Sequence, residues 1–229
     1  MLNGVQTRKR TQELKKQGFY NNWPKKKFGL ITFHIYPEFN VNNEWFKKRE
    51  KAYTANAKLL KVKPPKVNFY LYPTKEAGIK IGILPFYTFP KLKEIHGHLN
   101  QSPGHELTHI LHEKINKAGN NPKNKLWIEG LCTYLNRTGT DQKKWALSLN
   151  VKIESLNPLN NWMTHVPGDL YPVAGSIVQY VVKRFGWEKL LLFLKSLKDS
   201  LEYQNKMSLK VFKISIDELQ KDWLKWIKN

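Results

Sequence analysis

His105-Glu106-Leu107-Thr108-His109, followed downstream by Leu126-Trp127-Ile128-Glu129-Gly130-Leu131, is the stretch that decides how this 229-residue chain is read. Ser102-Pro103 upstream supply an N-cap and a proline suited to the first helical position. Gly119 downstream suits a C-cap. A helix is therefore expected from residue 102 to about residue 117. On it, the four-residue step from His105 to His109 turns about 400°, so both imidazoles leave one face a turn apart. Two ring nitrogens can then reach one zinc ion at about 2.0–2.1 Å. Glu106 sits beside the first of them. Its carboxylate can take a proton from water activated at that metal and later pass it to a leaving amine. The competing reading is two hydrogen-bonded helix histidines and a surface glutamate.

A catalytic zinc site needs a third protein ligand and one open position. Glu129 is the candidate. It follows His109 by twenty residues, enough for the rest of the first helix, a turn, and the start of a returning antiparallel helix. The alternative for Glu129 is a surface carboxylate on an amphipathic helix. His112 is a rival ligand by face, but it lies two turns from His105, about 10.5 Å along the axis. One zinc cannot hold both, so His112 is expected to support or pack. His96 and His98 fall in an expected loop and read as surface histidines, with contact to substrate or metal as the other option.

Outward from this pair of helices, residues 30–36 are rich in β-branched and aromatic side chains and read as a strand that Pro37 ends. Residues 43–60 place Trp45, Phe46, Tyr53, Ala57 and Leu60 at helical spacing. Residues 67–72 alternate as a second strand. Residues 79–89 read as a third, and Pro85 inside it suits a sheet edge. Beyond the motif, helices are expected at 126–136, 142–153, 173–185, 187–197 and 216–228. The polar, basic residues 1–27 read as a flexible arm. The expected fold class is α+β. A small N-terminal mixed sheet with a helix (28–100) is followed by a mostly helical half (101–229), the two forming a single catalytic domain over 28–229.

The chain carries 39 Lys and Arg against 18 Asp and Glu, a formal net charge of +21. That favours attraction to anionic surfaces. The lysines are scattered, however, and no specific nucleic-acid motif is present. A hydrophobic fraction of 41% with 13% aromatics argues against a disordered chain. Cys132 is the single cysteine, so no intrachain disulfide can form. No apolar run is long enough to span a membrane, and residues 1–16 lack the apolar block and cleavage site of a signal peptide. As given, the sequence reads as soluble and cytoplasmic. A leader missing from this chain would make it extracellular or part of the cell envelope.

The two segments of the opening stretch, the second extended through Cys132-Thr133-Tyr134, together resemble the gluzincin metallopeptidases. They are most similar to the small bacterial proteins of the peptidase MA-like group, which share the catalytic core of the M1 aminopeptidases and are more distantly related to thermolysin. Weaker likeness extends to Tyr171-Pro172-Val173-Ala174-Gly175-Ser176, to Phe185-Gly186-Trp187-Glu188, and to Ile216-Asp217-Glu218-Leu219. The resemblance implies a zincin-like fold. It also implies one Zn²⁺ ion held by His105, His109 and Glu129, Glu106 as general base, and a peptide or protein substrate. Related peptidases stabilise the oxyanion with a tyrosine, which Tyr171 matches, with His165 as a substitute; the alternative for Tyr171 is a packed interfacial tyrosine.

Two departures narrow the reading. The aminopeptidases carry a Gly-x-Met-Glu-Asn run that holds the substrate's free amine, and residues 77–104 contain none. This favours an endopeptidase over an aminopeptidase. The acidic residue seven positions after the third ligand is replaced by Asn136, which can hydrogen-bond but adds no negative charge. The alternatives are a zinc-binding protein that is not a peptidase (another amide hydrolase or a degenerate binding module) and a basic module that binds an anionic polymer.

Overall fold

The structure is a computed structural model that describes residues 3–116, 124–136, 138–162, 165–198 and 200–229. The fold class is α+β, and the chain forms two compact units, Met1–Leu111 and His112–Asn229.

The first unit is built on a mixed five-stranded sheet of β1 (Lys25–Phe28), β2 (Ile31–Ile35), β3 (Val67–Tyr72), β4 (Tyr87–Phe89) and β5 (Glu94–His98). The spatial order is β1-β2-β3-β5-β4. The inner pairs β2–β3 and β3–β5 are parallel, while β1 and β4 run antiparallel at the two edges. Alternation along the strands sorts side chains to two faces. In register across β2, β3 and β5, Phe33, Phe69 and Ile95 share one face, and His34, Tyr70 and His96 share the other. The first face packs on α2 (Asn43–Leu60), where Trp45 and Phe46 meet Phe33 edge-on. The amphipathic spacing read from the sequence is thus spent on this contact.

The opposite face is covered by the N-terminal segment. Residues 3–27, expected as a flexible arm, instead form α1 (Gly4–Lys16), a bend, and most of strand β1. A capping box between Asn3 and Gln6 starts α1. Leu14, Tyr20 and Trp23 then bury against Tyr70, Tyr72 and Ile83. The basic residues hid this because they occupy the solvent side, while three large apolar groups suffice to anchor the segment.

Two further expectations fail here. The third strand expected over residues 79–89 is much shorter. Instead α3 (Lys75–Lys80) covers its start, capped by Thr74, and only Tyr87–Phe89 pairs. Pro85 packs against Gly78 and opens the turn that leads into β4, so the proline precedes the strand rather than interrupting it. His96 and His98 lie on β5, an inner strand, rather than in a loop, and His96 is fully buried.

α4 (His105–Ile115) carries the motif. It begins later than Ser102-Pro103 predicts: the Gly104 carbonyl accepts from both the Thr108 amide (2.9 Å) and the Thr108 hydroxyl (2.7 Å), which sets His105 in the first turn. The expected C-cap, Gly119, lies outside the described residues.

The second unit is helical. It contains α5 (Lys125–Tyr134), α6 (Gln142–Leu147), α7 (Pro158–Asn161), α8 (Tyr171–Phe185), α9 (Trp187–Ser196), α10 (Leu201–Phe212) and α11 (Ile216–Lys228). α8 is its centre, buried along most of its length against α5 and α6. α5 and α8 approach closely at Gly130, where an added Cβ would stand 2.6 Å from the Ala174 carbonyl oxygen. The Trp127 indole donates to Gln204 at 3.2 Å and the Trp223 indole to Ser176 at 3.1 Å, so both buried rings are satisfied. The helix expected at 142–153 stops at Leu147. α10 was not anticipated, its apolar positions being interrupted by polar residues. Among the described residues, no helix is long and apolar enough to cross a membrane.

Candidate metal centre

His105 and His109 leave α4 as neighbours, their ring centroids 5.1 Å apart and planes at 70°. Both are partly exposed, so neither ring is sealed in a core. The intervening Thr108 faces inward. It is fully buried, and its hydroxyl accepts a 2.9 Å hydrogen bond from Asn56 of α2, itself fully buried. This bond fixes the rotation of α4 about its axis and so the direction in which the two histidines project.

Glu129 lies on α5, 7% exposed, with Lys125 one turn earlier at 3.7 Å. The close packing of Gly130 on α8 sets the position of this turn. One donor atom from each of His105, His109 and Glu129 lies within 4.8 Å of the others. Two neutral imidazoles and one carboxylate are the donor set of many catalytic zinc sites, so the residues present fit that ion by type and number.

Glu106 projects from the first turn of α4 towards strand β4. Its Oε2 accepts a 2.5 Å hydrogen bond from the Thr88 hydroxyl, and its Oε1 lies 3.4 Å from the Gln101 amide nitrogen. Gln101 is fixed in turn: its side-chain oxygen accepts from the His98 amide at 3.0 Å, and its carbonyl accepts from Arg49 at 2.5 Å. Gly97 makes room for it, since a Cβ there would lie 2.5 Å from the Gln101 oxygen and 2.4 Å from the Phe69 ring. The sequence pattern contained no signal for Thr88 or Gln101. They reach Glu106 only through strand pairing and the turn after β5.

The other expected residues are placed as follows. His112 is buried on α4. Tyr171 opens α8 and is partly exposed, and His165 is exposed in the preceding segment. Asn136 is buried, and its side-chain oxygen accepts from the Thr138 amide (2.9 Å) and hydroxyl (2.8 Å), closing the turn after α5.

No protein-family profile matches the chain, and no curated protein or solved structure is significantly similar to it.

Proposed function

We propose that the protein is a zinc-dependent metallopeptidase of zincin-like fold that acts on internal peptide bonds. The observation that carries the reading is the convergence of one donor atom each from His105, His109 and Glu129, with Glu106 next in sequence to the first. Bound there, zinc would supply Lewis-acid polarisation of a carbonyl group and of water. The protein's own groups account for the rest. Glu106 accepts the proton of the attacking water and returns it to the leaving amine. Tyr171 is the proposed donor to the developing oxyanion. The β4 strand lies at a sheet edge and offers main-chain groups to an extended peptide. The lack of an amine-anchoring run in residues 77–104 favours an internal cut.

The test is metal content and cleavage of a mixed peptide library by wild type, Glu106→Gln and His109→Ala. Wild type is expected to take up one zinc and cleave. Glu106→Gln should keep the zinc and lose at least about 100-fold in turnover, and His109→Ala should lose the zinc. Equal turnover by wild type and Glu106→Gln would refute the base. Unchanged zinc affinity in His109→Ala would refute the ligand set.

A further inference from the structure

We propose that Thr88 is the positioning residue for Glu106, and that its grip holds the carboxylate in one orientation. This rests on the reading of Glu106 as general base. Thr88 binds Oε2 at 2.5 Å, a charge-assisted contact at the short end of the normal range. Gln101 approaches the other oxygen at 3.4 Å, near the limit of a hydrogen bond. The two grips are unequal. Oε2 is committed to Thr88, and Oε1 is held only weakly.

Threonine suits this task at a strand position. Its β-branched side chain has few χ1 states, so a fixed backbone fixes the hydroxyl. The backbone here is held from both sides. Thr88 pairs with Ile95 across the β4–β5 ladder. On the approach to β4, the Thr7 hydroxyl accepts from the Leu84 amide at 3.3 Å, and Arg10 donates to the Ile81 carbonyl at 2.9 Å. The Tyr87 ring lies over Gly4, where a Cβ would fall 1.8 Å from its hydroxyl. α1 thus braces the segment that delivers Thr88, and Thr88 delivers Glu106. A bare carboxylate on the first turn of a helix would otherwise sample several rotamers, and only some would present an oxygen to water.

Two measurements test this on Thr88→Val, which keeps the branched shape and removes the hydroxyl, and on Thr88→Ser, which restores it. The first uses metal-free protein carrying carboxyl-labelled glutamate, with the Glu106 carbon resonance assigned by its loss in Glu106→Gln. That resonance is expected to move in Thr88→Val and to return most of the way in Thr88→Ser. An unmoved resonance in Thr88→Val overturns the proposal, whatever the activity. The second uses zinc-loaded protein and a cleaved library peptide. Thr88→Val is expected to lose about 10- to 100-fold in kcat with KM little changed, and Thr88→Ser to recover most of it. A change confined to KM overturns positioning and makes Thr88 a substrate contact. Absence of cleavage by wild type would overturn the peptidase reading itself, while the resonance still decides the grip of Thr88 on Glu106.

Discussion

His96 is fully buried yet carries two polar ring atoms, and the structure shows where both go. Nε2 meets Glu94 at 3.0 Å and Nδ1 meets the Tyr72 hydroxyl at 3.0 Å, with Tyr20 next at 3.1 Å. A neutral ring satisfies the whole chain. Nε2–H donates to the Glu94 carboxylate, Nδ1 accepts from Tyr72, and the Tyr72 oxygen accepts from Tyr20, while Lys15 pairs with the other Glu94 oxygen. Burial pushes His96 below its ordinary value of 6.5, with Glu94 opposing. Burial pushes Glu94 upward, but the hydrogen bonds from His96 and Lys15, with the Lys15 charge, win and hold it below 4.5. Both groups are therefore depressed in the folded state. Each contributes stability above its ordinary value, which is lost as the pH falls through the folded value. The melting temperature should fall on acidification, beginning as the pH drops below 6.5 and steepening below 4.5. His96→Gln keeps a donor for Glu94 but cannot titrate, and should flatten the upper part of that fall. An identical pH profile in the variant would count against His96 as its source. None of this is legible in the sequence: His-x-His ahead of Asn100, Ser102, Pro103 and Gly104 reads as a surface loop until strand pairing places it on an inner strand of the sheet.

Helices and strands divide sharply in how well their residues announced them. α2, α8, α9 and α11 are legible within a few residues because their apolar positions repeat at the helical period, and α2 and α11 also start on capping side chains, Asn42 and the Ser215–Glu218 capping box. The motif's own logic was legible too: the four-residue step does set His105 and His109 side by side. β4 is hidden in the sequence because three paired residues leave too short a pattern, and α1 because a helix anchored by few apolar groups looks like a basic tail. Gly130 marks what the sequence displayed without explaining. Following Glu129 on a buried helix, it suggests a flexible point, yet it allows α5 to approach the α8 backbone. Gly130→Ala gains about 0.8–1.0 kcal/mol of helix propensity. Against that stands a clash with a carbonyl that cannot rotate away, costing about 1–3 kcal/mol as overpacking does. The variant should show a lower denaturant midpoint with an unchanged slope. A raised midpoint would mean that α5 and α8 can separate at no cost.

Over the whole molecule, a formal charge of +21 on 229 residues means that each folded surface repels itself. The described ion pairs include only a few with a largely buried member, the Lys15–Glu94 contact among them, so most of this charge faces solvent. Screening falls within reach of neighbouring charges at moderate salt, where the Debye length is about 10 Å at 0.1 M. Raising sodium chloride from about 20 to about 200 mM should therefore raise the melting temperature. A fall would show that specific ion pairs outweigh the general repulsion.

The strand order has a consequence for how the chain acquires its shape. β2, β3 and β5 are neighbours in the sheet but come from residues 31–35, 67–72 and 94–98, and their parallel pairing cannot begin until a long crossover has closed. The helices of the second unit are no more local: α5 packs along α8 although residues 135–170 lie between them. Both halves therefore rest on contacts distant in sequence, and folding slows as such contacts come to dominate. The half made first by the ribosome is the one that must wait for its last inner strand, so β2 spends the longest time as an unpaired apolar edge, and the lysines of β1 beside it, Lys25, Lys26 and Lys27, are placed where they oppose pairing with another chain in that interval.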